Sequence, residues 1–138
     1  MTADQRTLYT TTARSLPGLE RVQIEDEADL RLAVSTPAGL GGADGAEGWN
    51  PERLYAAALA TCMHQAVELA AGTRGADTAD SRVTARVALE HDGSLRYSFE
   101  ARLTVELPRL DADERAAVIR EAVRSCPMAR GVEVGEDG

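Results

Sequence analysis

Asn50-Pro51-Glu52-Arg53-Leu54-Tyr55-Ala56-Ala57-Ala58-Leu59-Ala60-Thr61-Cys62 opens a helix with its first three residues. Asn50 suits an N-cap, Pro51 the first helical position, and Glu52 the positive end of the helix dipole. The Ala- and Leu-rich run from Leu54 to Ala71 is apolar on more than one face, which predicts a largely buried helix. Gly72 is the expected C-cap. A cysteine, Cys62, stands in the middle of this apolar helix.

Strand patterns lie on both sides. Upstream, Thr7 to Arg14 is rich in Thr and contains Tyr9, Val22 and Ile24 alternate with polar residues, and Leu30, Leu32 and Val34 alternate again. With a turn at Pro17-Gly18, these predict an N-terminal antiparallel meander. Residues 38–50 hold five glycines and read as a long loop. Downstream, Val83, Ala85, Val87 and Leu89 alternate strictly, Asp92-Gly93 signals a hairpin, and Phe99, Ala101, Leu103, Val105 and Leu107 alternate in return. Pro108 stops that strand. Asp111 and Glu114 form an acidic, capped start to a second helix over residues 112–125, with an apolar stripe of Val118, Ile119, Ala122 and Val123. Val132 and Val134 suggest a short last strand, and Gly135 to Gly138 a disordered tail. The order βββ–α–ββ–α–β is that of an α+β fold with a mainly antiparallel sheet, in a single domain spanning residues 1–138.

Composition excludes several functions. The net charge of −8 argues against nucleic-acid binding. All fifteen basic residues are Arg, so neither a Schiff-base lysine nor a phosphate-loop lysine is available. Met1 to Arg14 lacks the apolar core of a signal peptide, and no apolar run approaches the roughly 20 residues that span a bilayer. The expected location is the cytoplasm, without membrane insertion. Two cysteines there point to catalysis, redox sensing or plain burial rather than to a structural disulfide. Cys62 and Cys126 are too far apart in sequence for a zinc pattern, and His64, two residues from Cys62, faces another side of the helix. No metal or other cofactor is expected.

The motifs together resemble the organic hydroperoxide resistance branch of the OsmC/Ohr family. The matching pieces are Leu8-Tyr9-Thr10, Ser35-Thr36-Pro37, Leu40-Gly41-Gly42, Asn50-Pro51-Glu52-x-Leu54-Tyr55-Ala56-Ala57 leading to Cys62, and Cys126-Pro127. The resemblance covers nearly the whole chain. It implies an intertwined homodimer with active sites at the subunit interface. It also implies reduction of alkyl or fatty-acid hydroperoxides without metal or haem, and recycling by lipoylated proteins or another dithiol. Cys62 matches the peroxidatic cysteine, Cys126 the resolving cysteine, and Glu52 the acidic residue that orients a catalytic arginine.

Physical chemistry agrees. The thiolate is the nucleophile, a buried thiolate needs a cation or donors, an Arg supplies permanent charge, and a carboxylate fixes that Arg bidentately. The sulfenic acid must then meet a second thiol before it over-oxidises. Glu52 and Cys62, ten residues apart, lie about 15 Å apart along a straight helix. Either the helix bends or a second subunit completes the site.

The chain departs from the family in places. Counting without gaps puts Leu19 where the catalytic arginine belongs. Arg21, two residues later, shares its face if the segment is extended, and is the candidate cation; Arg14 lies just before the turn, and Arg130 follows Cys126-Pro127. Trp49 stands where a small polar residue is common in relatives, and is read as a pocket wall or a cap on the loop. His64 is read as structural. Three functions follow: a thiol peroxidase working through Cys62 sulfenic acid and a Cys62–Cys126 disulfide; an OsmC-like domain of weak or no peroxidase activity that senses oxidants or binds an apolar ligand; or a structural role.

Overall fold

A computed structural model describes residues 5–16, 21–36 and 48–137. The chain forms two compact units, Met1–Pro51 and Glu52–Gly138.

In the first unit, β1 (Ala13–Leu16), β2 (Arg21–Ile24) and β3 (Arg31–Ala33) pair antiparallel in that order. The register sets Ala13 opposite Ile24 and Val22 opposite Leu32. The β2–β3 turn is closed by Ile24 N–H to Leu30 O at 2.9 Å. Asp26 takes the left-handed conformation there (φ 66°), which Asp tolerates better than most residues. The meander is thus present, but its first strand is shorter and later than Thr7–Arg14. Of that run only Ala13 and Arg14 are in a strand; Gln5 to Thr12 form none. Thr content favours extended backbone, but only a paired partner makes a strand of it. The Pro17-Gly18 turn and most of the 38–50 loop lie outside the described residues.

The second unit holds α1 (Pro51–Arg74), β4 (Arg82–His91), β5 (Tyr97–Glu106), α2 (Ala112–Ser125) and β6 (Glu133–Asp137). β4 and β5 make a ten-pair antiparallel hairpin, Arg82 opposite Glu106 through His91 opposite Tyr97. Its tip spans residues 92–96: Gly93 has φ 84° and the Asp92 carboxylate accepts from Ser94 N–H at 2.8 Å. β6 then joins β5 in parallel. A parallel partner needs a crossover, and α2 is that crossover. The strand runs through Gly135, Glu136 and Asp137, so these tail residues are ordered by main-chain pairing rather than disordered.

Both helix starts follow the sequence signals. Asp111 caps α2, its carboxylate accepting from Glu114 N–H at 2.8 Å. The end of α1 does not. The helix passes through Gly72 and stops at Arg74. Gly75 takes φ 64°, Ala76 N–H reaches Ala71 O at 2.9 Å and Gly75 N–H reaches Gly72 O at 3.3 Å. This is a Schellman closure, with the left-handed residue at Gly75.

The core of this unit is one apolar cluster. α1 contributes Leu59, Met63, Ala66, Val67, Ala70 and Ala71, the spacing of a single helix face. Leu103, Val105 and Leu107 alternate inward from β5 and its end, and Val118, Ile119 and Ala122 come from α2. Leu59, Met63, Leu103 and Val118 are fully buried, each contributing roughly 1.5–3 kcal/mol. On the opposite face of α1, Ala57, Ala58, Thr61 and Gln65 are exposed among the described residues, and Leu69 is 72% exposed. The expected burial on more than one face is therefore met on one only.

Candidate functional site

The two cysteines come together from opposite ends of the second unit. Cys62 lies mid-way along α1, half-buried beside the core. Cys126 is the C-cap of α2, only 5% exposed, with its N–H bonded to Ala122 O at 2.8 Å. Leu59 and Met63 of α1 and Val118 and Ala122 of α2 belong to the same buried apolar cluster, and Cys62 packs against it. The two sulfurs are 3.4 Å apart, both as free thiols. A disulfide bond is about 2.05 Å long, so closing the pair requires a shift of little more than 1 Å.

The Cys62 thiol is pushed above the ordinary thiol value. Burial is the main cause, followed by the shared proton and charge of Cys126. A hydrogen bond from the Met128 main-chain amide opposes them. Two sulfurs at this distance can share one proton but resist carrying two charges.

Glu52 lies in the first turn of α1, and its Oε2 is buried with no hydrogen-bond partner among the described residues. A buried carboxylate oxygen without a donor is unfavourable, so this position calls for a cation. α1 runs unbroken between them, so Glu52 stays about 15 Å from Cys62 along the axis. Arg21 opens β2 in the first unit, opposite Leu16 and Ala33, and is half-buried. Arg14 is ion-paired with Glu25 at 3.2 Å on the surface. Arg130 is exposed in the turn after Cys126. Trp49 is 40% exposed and bridges to Val34.

His64 has a structural environment. Its Nε2 is 2.8 Å from Ser81 Oγ and 3.7 Å from Glu68 Oε1, while Glu68 Oε2 accepts from Thr78 Oγ1 at 3.0 Å. These contacts clip α1 to the segment leading into β4. Tyr55 of α1 stacks on Phe99 of β5 with ring centroids 5.3 Å apart, a contact that no pattern in the sequence signals. The i, i+7 spacing of Tyr55 and Cys62 sets both on one side of α1. Among the described residues no group of three or more His, Cys, Asp or Glu side chains forms a metal cluster.

The model of the OsmC-like protein family matches residues 42–135. The chain belongs to the OsmC/Ohr family. Its OsmC/Ohr relatives include an organic hydroperoxide resistance protein of Xanthomonas axonopodis pv. citri, 31% identical over 134 residues, covering 94% of this chain and 90% of the relative. The organic hydroperoxide resistance protein OhrA of Bacillus subtilis is 30% identical over 124 residues, covering 89% and 87%. Among solved OsmC/Ohr structures, an organic hydroperoxide resistance protein from Elizabethkingia anophelis superposes with TM-score 0.86 at 28% identity, over 97% of this chain and 99% of that one. The family's α+β fold is the one described above, and no helix among the described residues is long and apolar enough to cross a membrane.

Proposed function

We propose that this OsmC/Ohr protein is a thiol peroxidase for organic hydroperoxides, acting as one domain over residues 1–138. The observation that carries the reading is the pair of free thiols 3.4 Å apart on two helices. The Cys62 thiolate attacks the outer peroxide oxygen and keeps its hydrogen as Cys62 sulfenic acid; the O–O bond breaks, and the alkoxide takes a proton from solvent and leaves as the alcohol. Cys126 attacks that sulfur, water leaves, and the Cys62–Cys126 disulfide forms. A lipoylated protein or other dithiol then returns two electrons and two protons.

A second copy of the chain completes the site in this reading. The exposed apolar face of α1 and the unpartnered Glu52 oxygen both support it. Glu52 orients an arginine, for which Arg21 is the candidate. The relatives named for organic hydroperoxide resistance support the substrate class.

Stopped-flow loss of free thiol against cumene hydroperoxide and hydrogen peroxide tests the proposal. The wild type should lose two thiols per equivalent of organic hydroperoxide, and faster than with hydrogen peroxide. Cys62→Ser should abolish the reaction, and Cys126→Ser should stop after one sulfenylated turnover. No peroxide consumption with any dithiol overturns it. The second reading, a domain of weak or no peroxidase activity that senses oxidants or binds an apolar ligand, draws on the raised Cys62 thiol and on Leu19 at the family's arginine position. Slow reaction with every peroxide would favour it.

A further inference from the structure

Cys126 stands at the bend of a closed circuit. It caps α2, and from it two successive turns lead on: Ala129 N–H reaches Cys126 O at 3.2 Å, and Val132 N–H reaches Ala129 O at 3.0 Å. The second turn delivers the chain into β6, which is fixed on β5 by pairing from Arg102 to Glu106. Near the end of β6, Glu136 Oε1 lies 3.9 Å from Nε of Arg115, a residue near the start of α2. The circuit thus runs along α2 to Cys126, through the turns, along β6 to Glu136, and back to α2 through an ion pair. Arg115 and Cys126 are eleven residues apart, close to three full helical turns, and so lie on one side of α2. Val118 and Ala122, both fully buried, stand between them on that side. We propose that the Arg115–Glu136 ion pair is a clasp that holds α2 where Cys126 can reach the sulfur of Cys62.

The clasp deepens the peroxidase reading, on which its catalytic meaning rests. Arg115 lies about 16 Å from Cys126 along the helix axis, so it and Glu136 are positioning residues. Burial singles out this pair. Glu133, on the same strand, meets Arg102 at 2.6 Å, but those side chains are 69% and 60% exposed, and such surface pairs contribute little. Arg115 is 18% exposed and Glu136 44%. Arg115 Nη1 donates to Leu110 O at 3.3 Å, while its Nε is buried with no hydrogen-bond partner among the described residues. A guanidinium so enclosed depends on the carboxylate beside it, because an uncompensated buried charge is costly. Without Glu136 the start of α2 loses its tie to β6, and a rigid helix carries the displacement to its Cys126 end. A misplacement of about 1 Å can cost on the order of a hundredfold in rate. The step affected is attack by the Cys126 thiolate on a Cys62 sulfur that already bears a leaving group. In the peroxidase cycle that group is hydroxide, which departs as water with a proton from solvent. Delay there lets a second hydroperoxide transfer an oxygen atom to the sulfenic acid, giving sulfinic acid and alcohol.

The test isolates that step with an aromatic disulfide, dithiobis-nitrobenzoate, mixed with the reduced protein in stopped flow. Attack by Cys62, the more accessible thiol, releases one thionitrobenzoate and leaves the other on its sulfur. The Cys126 thiolate then displaces the second as the Cys62–Cys126 disulfide forms, so absorbance records two releases. In Glu136→Gln the first release should keep the wild-type rate and the second should slow about tenfold. Glu136→Asp keeps the charge and should recover most of the second rate. Glu133→Gln removes the same charge from the same strand and should leave both releases unchanged. A second release at the wild-type rate in Glu136→Gln, an equal slowing of both releases, or an equal effect of Glu133→Gln overturns the proposal. If Glu136→Gln does not fold, Arg115→Met combined with Glu136→Gln decides. Replacing a buried ion pair with apolar groups is often neutral for stability, and this variant should show the same slowed second release; a wild-type rate in it overturns the clasp. The reagent is not a peroxide, so the two readings fail separately. Absence of peroxide consumption, with the releases as expected, removes the peroxidase reading and leaves the clasp in place.

Discussion

At the scale of single residues, the candidate site is a contest over one proton. Burial opposes charge on Cys62, Cys126 shares the proton, and the Met128 amide favours its loss. The Cys62 thiol of the wild type should titrate above the ordinary thiol value. Cys126→Ala should move that titration to lower pH, because the hydrogen bond and charge of the neighbouring sulfur are gone. The sign is that of an acid whose charged form is disfavoured: the thiol persists to higher pH, and peroxide reactivity climbs with pH until the thiolate is formed. Ultraviolet absorbance of the thiolate checks both forms. That Cys62 and Cys126 meet was legible in the sequence, because their chemistry is in their side chains, whereas Glu52 stays about 15 Å from Cys62 along α1.

At the scale of elements, the strongest local signals held and the weaker ones yielded to packing. Asp111 capped α2 as its acidic first turn implied, and the β4–β5 alternation gave the hairpin. Gly72 was read as the end of α1, yet Ala70 and Ala71 face the core and carry the helix on to Arg74. Gly75 is the residue that takes the left-handed turn. The two glycines should therefore respond oppositely to alanine. A methyl group at either meets open space, so conformation alone decides. Gly75→Ala should destabilise by about 1 kcal/mol, through left-handed strain. Gly72→Ala should stabilise by roughly 0.5–1 kcal/mol, as in any exposed helix interior. Urea unfolding of the two variants measures both signs. The last strand was only half legible: Val132 and Val134 gave its place. Its parallel partner and its length through Asp137 depend on β5 lying open across the crossover, which local alternation does not encode.

At the scale of the whole molecule, the sequence motifs carried the family, and the fold agrees over nearly the full chain. The arrangement of the two thiols has a thermodynamic side as well. Residues 62 and 126 are 64 positions apart in the chain, so bonding them would close a long loop in the unfolded chain while asking little of the folded one. Such a cross-link removes chain entropy worth about 4 kcal/mol. Calorimetry of reduced and peroxide-treated protein should show the oxidised form melting on the order of 10 °C higher, a difference absent in Cys126→Ser. The oxidation state of the pair would then set how readily the second unit opens, and with it how readily a protease finds the chain. Peroxide-treated protein would be the longer-lived form until a dithiol reopens the loop.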